Sequence, residues 1–277
     1  MNDDVVLYEV REPGIAIVTL NRPDRLNAWN GALAKRYFEL LDQAAADPAV
    51  KAIVVTGAGK GFCAGADMDT LQGIGNSAGK TDADAVAGQT SSAAGATGDR
   101  GQDYTTTIPK PVIAAINGAC AGIGLVQALM CDVRFAAAGA KFTTAFVRRG
   151  LIAEYGISWV LPRLVGTARS LDLLMSGRVF LAEEAAAIGM VNDVVPGDQL
   201  LDHAVHFASE LATYSSPTSM SIIKRQVYAD MTRPLAEAQD NAIELMKASL
   251  RRPDFREGVA SYLAKRPPEF AVLDPTL

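Results

Sequence analysis

Two short apolar segments, each followed by a glycine-rich turn, constrain the fold of this chain more than any other feature. Residues 52–56 lead into the turn at 61–67, and residues 111–116 lead into the turn at 117–124. Apolar runs of this length, bounded by glycines, are typical of strands buried on both faces. Because the second turn also opens a predicted helix over 122–130, the pattern predicts strand–turn–helix units and therefore an α/β fold.

The rest of the chain adds a hairpin at the start and helices at the end. Two β-rich runs at 5–10 and 15–20 flank a short Pro-Gly turn, which predicts a β-hairpin. Asn30 is the predicted N-cap of an amphipathic helix that reaches about residue 46. Further strands are predicted at 133–136, 141–146 and 191–195. Later helices are predicted at 167–175, 182–188, 198–213, 217–230, 234–250 and 254–264.

Residues 73–107 differ in composition from the rest of the chain. Gly, Ala, Ser, Thr and Asp dominate there, and so few apolar side chains cannot offset the entropy of ordering. The segment is therefore predicted to be a flexible insertion without a core of its own. We predict a core domain over 1–200 that contains this insertion, and a helical region over 201–277.

Composition argues against several classes of protein. The net charge of −5 and the pI near 5.2 give no basis for binding nucleic acid. No apolar run approaches the ~18 residues that a membrane-spanning helix needs. The three cysteines, an odd number in apolar surroundings, indicate reduced thiols and a cytoplasmic location.

Two motifs suggest a phosphate-binding loop and a metal site, but each lacks a residue that such a site requires. Residues 73–81 resemble a phosphate-binding loop, but Ile74 stands where that loop requires its first glycine, and no strand leads in. His203 and His206 lie one helical turn apart, but no third ligand is evident nearby, so no metal site is predicted.

The glycine-rich turns themselves carry the chemistry. Their small residues let a ligand approach the backbone closely, and free N–H groups stabilise developing negative charge. Either turn alone is also compatible with a tight strand–helix connection. Glu154, within the segment 150–159, is the one plausible proton-carrying side chain near them. Two backbone donors and one carboxylate are enough to enolise a thioester.

A series of motifs in fixed order resembles the crotonase superfamily, also called the enoyl-CoA hydratase/isomerase family. The matching segments cover nearly the whole chain and lie at 21–28, 61–67, 109–132, 181–191 and 256–267. The resemblance implies a ClpP-like spiral of ββα units with a C-terminal helical region that mediates trimerisation. It also implies an acyl-CoA substrate of fatty acid metabolism, no cofactor beyond the coenzyme A of that substrate, and a homotrimer or dimer of trimers.

The resemblance implies roles for particular residues. The oxyanion donors are the backbone N–H groups of Ala66 and Ile123. The surface for coenzyme A and substrate comprises Arg25, Ala28, Ala64, Asp67 and Gly122. Three further residues have either a functional or a purely structural role. Tyr155 and Trp159 line the acyl pocket or pack in the core. Lys265 contacts the CoA phosphates or is a solvated surface residue.

Departures from the family pattern point to the reaction. Typical hydratases hold water with two glutamates, and the corresponding positions here are Val126 and Phe146. Glu154 instead matches the single glutamate of peroxisomal-type Δ3,Δ2-enoyl-CoA isomerases, although a helix-capping role is the alternative. We therefore predict an enoyl-CoA isomerase. The alternatives are a hydratase or other crotonase reaction with atypical groups, and a catalytically silent CoA-binding subunit.

Overall fold

The computed structural model describes residues 4–69, 72 and 100–273. Ten strands, ten α-helices and two short 3₁₀ helices, Pro23–Arg25 and Val147–Arg149, lie entirely within those residues. The strands are β1 (Val6–Arg11), β2 (Ile15–Leu20), β3 (Ala52–Gly57), β4 (Gly61–Cys63), β5 (Val112–Ile116), β6 (Ala119–Ala121), β7 (Val133–Ala137), β8 (Lys141–Thr143), β9 (Phe180–Leu181) and β10 (Asp193–Val195).

Except for a short helix at 104–107, inside the predicted insertion, the helices follow the predicted pattern. They are α1 (Gly31–Ala46), α2 (Tyr104–Thr107), α3 (Ile123–Leu129), α4 (Ile157–Val165), α5 (Thr167–Ser176), α6 (Ala182–Ala187), α7 (Leu200–Tyr214), α8 (Pro217–Asp230), α9 (Leu235–Ser249) and α10 (Pro253–Ala264). The predicted cap of α1 is confirmed, because the Leu33 N–H donates to the Asn30 side chain at 3.0 Å. None of the helices in the described part of the chain is long and apolar enough to cross a bilayer.

Two sheets of different size organise the core. The larger has the order β1-β2-β3-β5-β7-β10, in which only the β1–β2 hairpin is antiparallel. The smaller has the order β4-β6-β8-β9. Three consecutive strand pairs, beginning with β3, β5 and β7, each place their first strand in the large sheet and their second in the small one. The predicted α/β class and its repeating strand units are confirmed.

Helices cover the large sheet. Helix α1 packs on β1 and β2, and α7 packs across β2, β3, β5 and β7. The face of α7 toward the sheet repeats every four residues through Leu200, Ala204, Ala208 and Ala212, all of them buried. Helix α7 therefore completes the sheet core, although it lies beyond the predicted boundary at residue 200. By contrast, α9 buries none of its residues within this chain.

A buried ion pair fastens α8 to the sheet. The Lys224 ammonium donates to the Asp132 carboxylate at 2.7 Å and to the Thr105 carbonyl at 3.1 Å. The Val112 N–H donates to the same carboxylate at 2.8 Å. Burial raises the pKa of Asp132, and the neighbouring ammonium acts in the opposite direction. The pair thus ties a C-terminal helix both to β5 and to the segment that precedes it.

The predicted insertion divides at residue 100. Residues 73–99 lie outside the described residues, so the prediction of flexibility cannot be compared there. For residues 100–107 the prediction of an unpacked segment is wrong. Arg100 and Tyr104 both hydrogen-bond to Asp42 on α1, and Thr105 is fully buried. These polar side chains find specific partners, which composition alone does not show.

Candidate active site

The first glycine-rich turn presents a free backbone donor. Gly65 adopts a φ of +104°, a conformation that side chains disfavour. On one side of the turn, the Trp29 N–H donates to the Gly65 carbonyl at 2.8 Å and the Asp67 N–H donates to the Trp29 carbonyl at 2.9 Å. The intervening Ala66 N–H has no acceptor among the described residues. This N–H is therefore available to a ligand, and its role as an oxyanion donor stays a prediction.

The second turn presents another donor in a similar way. Gly122 has a φ of +51° and a ψ of −123°, and its N–H is anchored to the Thr143 carbonyl at 3.1 Å. Ile123 is the first residue of α3, so its N–H has no partner inside the helix. Each predicted donor thus directly follows a glycine with positive φ.

The two turns lie close together because Gly124, which lies between them, has no side chain. A Cβ on Gly124 would lie only 2.4 Å from the carbonyl oxygen of Cys63, which belongs to the first turn. A Cβ on Gly122 would lie 3.9 Å from the Cα of Gly65. A cleft opens between the two turns. Its lining comprises Ala64, Gly65, Ala66, Gly122, Ile123, Ala145, Phe146, Arg149, Leu151, Glu154 and Tyr155.

Glu154 reaches this cleft from a strained turn. Tyr155 has a φ of +55° and Gly156 a φ of +79°, which reverses the chain just before α4. Non-glycine residues in this region are concentrated at functional sites. Helix α4 has Gly156 as its N-cap and therefore begins without a side-chain cap. Glu154 lines the cleft, and its role as a base, rather than as a charge near the start of α4, stays a prediction.

The electrostatics of Glu154 suit a base. Burial is the cause that raises the pKa of this carboxyl above its ordinary value. Partial desolvation disfavours the charged form, and a base whose pKa moves toward the working pH transfers protons more efficiently. Tyr155 is half-buried beside it, and burial followed by the charge of Glu154 raises the pKa of its phenol.

The two residues at the positions of the hydratase glutamates are apolar, and the structure shows where each of them lies. Val126 is fully buried within α3. Phe146 lines the cleft, with its ring centroid 6.3 Å from that of Tyr155. Neither side chain accepts a hydrogen bond from water. Among the described residues that line the cleft, Glu154 is consequently the one carboxylate.

Asp67 has a partner inside the protein. Its carboxylate accepts a hydrogen bond from the Arg22 guanidinium at 2.7 Å, and the pair is largely buried. Arg22 also donates to the Ala28 carbonyl. Its hydrogen bond to Asp67, and to a smaller extent its charge, lower the pKa of the Asp67 carboxyl. The pair joins the 22–28 segment to the turn that carries Ala66. A direct contact between Asp67 and coenzyme A stays a prediction.

Some of the other predicted substrate-binding residues line the cleft, and others lie outside it. Ala64, Gly122 and Tyr155 line the cleft. Trp159 does not line it; its ring packs under the Arg163 guanidinium at 4.1 Å, one helical turn further on. Arg25 lies 3.6 Å from Asp69 at the surface, and Lys265 ends α10 with a φ of +53°. Neither Arg25 nor Lys265 belongs to the cleft lining.

Sequence reasoning missed several residues of the cleft wall, two of which contact each other. Ala145, with a φ of +60°, and Arg149 both line it. The Arg149 Nη1 donates to the Ala145 carbonyl at 3.1 Å. Their position in the sequence could have indicated this, because Ala145 directly precedes Phe146, and Arg149 lies between Phe146 and Glu154.

We expect turnover to depend on pH through Glu154. A base acts only when ionised, so kcat/KM should fall as the pH drops through the pKa of this carboxyl. Since burial raises that pKa, the acid limb should lie above the ordinary glutamate value of about 4.5. A pH–rate profile of the purified protein measures it. An acid limb below that value would contradict a desolvated base.

Comparison with known proteins establishes the class to which this fold and site belong. Residues 10–272 match the family model for enoyl-CoA hydratase/isomerase. A 1,2-epoxyphenylacetyl-CoA isomerase from Escherichia coli strain K12 is 36% identical, over 94% of this chain and 95% of its own length. The chain therefore belongs to the enoyl-CoA hydratase/isomerase family of the crotonase superfamily, and it is an enzyme of that family.

Solved structures agree on the fold. The crystal structure of an enoyl-CoA hydratase from Mycobacterium marinum is 52% identical, with a TM-score of 0.68, over 83% of this chain and 100% of that chain. The crystal structure of an enoyl-CoA hydratase from Polaromonas sp. JS666 is 30% identical. Its TM-score is 0.85, over 96% of this chain and 99% of that chain.

Proposed function

We propose that this enzyme shifts a carbon–carbon double bond in an enoyl-CoA thioester, with Glu154 as the proton carrier. The observation that carries the proposal is the pairing of one partly buried carboxylate with two unoccupied backbone N–H groups around one cleft. The match of the Glu154 motif to peroxisomal-type Δ3,Δ2-enoyl-CoA isomerases supports the same reading.

The proposed reaction needs one acid–base group. The ionised Glu154 takes a proton from C2 of a 3-enoyl thioester, and negative charge moves onto the thioester oxygen. The N–H groups of Ala66 and Ile123 stabilise this enolate, because donors fixed before the reaction need no reorganisation. The protonated Glu154 then returns the same proton to C4. The product is the conjugated 2-enoyl thioester, and no metal or further cofactor enters.

Hydration is the second candidate, because similar proteins carry the name hydratase. It requires groups that hold and split a water molecule, and Val126 and Phe146 supply none. A catalytically silent CoA-binding subunit is the third candidate. The name of the Escherichia coli relative, an isomerase acting on a CoA thioester, favours the first.

A substrate comparison tests the choice. The purified protein should convert a 3-enoyl-CoA into a product with conjugated enoyl absorbance. It should remove that absorbance only slowly when given a 2-enoyl-CoA in water. Fast hydration of the 2-enoyl-CoA, with no action on the 3-enoyl-CoA, would make it a hydratase. Binding without turnover of either thioester would indicate the silent subunit.

The substrate surface extends the proposal. Arg25, Ala28, Ala64, Asp67 and Gly122 are proposed to contact coenzyme A or the thioester. Tyr155 is proposed to line the acyl pocket, and Lys265 to approach the CoA phosphates. The three cysteines are free and buried, which fits the reducing conditions of the cytoplasm, where we place the enzyme.

We further propose a homotrimer or a dimer of trimers. The C-terminal helices leave large apolar side chains exposed within one chain, among them Leu235 at 84% and Tyr262 at 83%. Exposed apolar surface on this scale marks an interface. Sedimentation at micromolar concentration should give a mass near three or six chains. A monomer that retains full activity would contradict the assembly without affecting the proposed chemistry.

A further inference from the structure

The cleft contains a cation that the proposed isomerisation does not use. Arg149 is the one basic side chain among the described residues that line it. It lies in the same wall as Phe146, Leu151 and Glu154. A double-bond shift through an enolate requires a base and oxyanion donors, and neither role needs a guanidinium here.

Glu154 does not neutralise this cation. No ion pair joins the two side chains within 4 Å, although other arginines of the described chain form such pairs. The pKa of Glu154 is raised, and burial is the cause; an adjacent guanidinium would lower it. The cleft thus carries a base and a cation at separate places.

The Arg149 guanidinium is held by one hydrogen bond, and its other N–H donors are available to a ligand. Its Nη1 donates to the Ala145 carbonyl at 3.1 Å, which fixes one edge of the group to the cleft wall. A guanidinium has five N–H donors, and no other acceptor for Arg149 occurs among the described residues. The neighbouring Arg148 behaves differently. Its Nε donates to the Ser176 carbonyl at 3.0 Å, and it does not line the cleft.

We propose that Arg149 binds a carboxylate carried by the acyl group, so that the preferred substrate is the CoA monothioester of a dicarboxylic acid. This proposal rests on the proposed function. A guanidinium matches a carboxylate with two parallel hydrogen bonds. Arg149 is exposed at the rim of the cleft, so a terminal carboxylate reaches it without being fully removed from water. Its partners Phe146 and Leu151 provide apolar surface for the methylene groups between.

Binding measurements test the proposal independently of turnover. Calorimetry should compare hexanoyl-CoA with adipoyl-CoA, which has the same chain length and a terminal carboxylate. The wild-type protein should bind adipoyl-CoA about 10- to 100-fold more tightly, the range for hydrogen bonds to charged groups. The preference should shrink at high salt, because the site is exposed.

Two neighbouring arginines provide the variant and its control. Arg149→Gln should abolish the preference for adipoyl-CoA, whereas Arg148→Gln should retain it. Equal affinities in the wild-type protein, or a preference that survives in Arg149→Gln, would overturn the proposal. A loss of affinity in Arg149→Gln that is equal for both thioesters would assign Arg149 to coenzyme A instead, which also overturns it.

Turnover separates this proposal from the proposed function. The substrates are hex-3-enoyl-CoA and hex-3-enedioyl-CoA, and kcat/KM should favour the second by a similar factor. Isomerisation of both without preference would reject the role of Arg149 alone. A binding preference for adipoyl-CoA without isomerisation of either substrate would reject the isomerase and support the carboxylate site.

Discussion

Glu154→Gln should lower kcat for the double-bond shift by about 10²- to 10⁴-fold, the usual contribution of a positioned acid–base group. Glutamine keeps the shape of the side chain but cannot accept the C2 proton. The proposed oxyanion donors are main-chain atoms and remain in place, so affinity for a saturated acyl-CoA should be retained. Steady-state kinetics with 3-enoyl-CoA, together with calorimetry, measure both effects.

Stability provides an internal check on this variant. Burial raises the pKa of Glu154 in the folded protein, so the protonated form favours folding and that contribution is lost as the pH rises through the raised pKa. Removing the charge should therefore leave the melting temperature at neutral pH unchanged or slightly higher. Glu210→Gln, at an exposed position on α7, is the matched control and should change neither activity nor stability. Near-normal turnover of Glu154→Gln would exclude Glu154 as the base.

Gly124→Ala should reduce turnover by about 10²-fold or more, because losing one oxyanion donor has an effect of about 10²- to 10³-fold. The added Cβ would lie 2.4 Å from the Cys63 carbonyl oxygen and 2.7 Å from its Sγ. Backbone must move to relieve this contact, and the parts that move are the start of α3 and the turn before Ala66. Overpacking of this kind also destabilises a protein by about 1–3 kcal/mol.

A second glycine serves as the control for this substitution. A Cβ on Gly31, the first residue of α1, would meet no atom within 4 Å. Gly31→Ala should therefore leave both the melting temperature and kcat close to wild type. Thermal unfolding and kinetics of the two variants decide the matter. Full activity in Gly124→Ala would show that the spacing of the two turns is not critical.

Sequence reasoning succeeded where a local pattern carries a physical constraint. The hairpin β1–β2 and the cap at Asn30 follow from turn and capping chemistry, and both are confirmed. The two glycine turns and Glu154 also come together around one cleft. In each case a few adjacent residues specify the conformation or the chemistry.

Features that depend on distant partners were not predictable. Strands β4 and β6 contain three residues each and exist because they pair in parallel with one another. The 100–107 segment is packed because two of its side chains meet Asp42 and one of its main-chain carbonyls accepts from Lys224, both far away in sequence. Arg149 resembles any surface arginine until the fold places it beside Phe146.

The free donors in the two glycine turns belong to the main chain, and this has a consequence for how such an enzyme changes its reaction. No replacement of the Ala66 or Ile123 side chain deletes an N–H group, unless it introduces proline. The proposed oxyanion donors are therefore unaffected by most single substitutions, while the proposed base depends on the side chain of one residue, Glu154. A carboxylate at position 126, 146 or 154 would approach the bound thioester from a different direction in each case. New activities can thus arise on this scaffold by relocating a single acid, with the carbonyl-binding apparatus inherited intact.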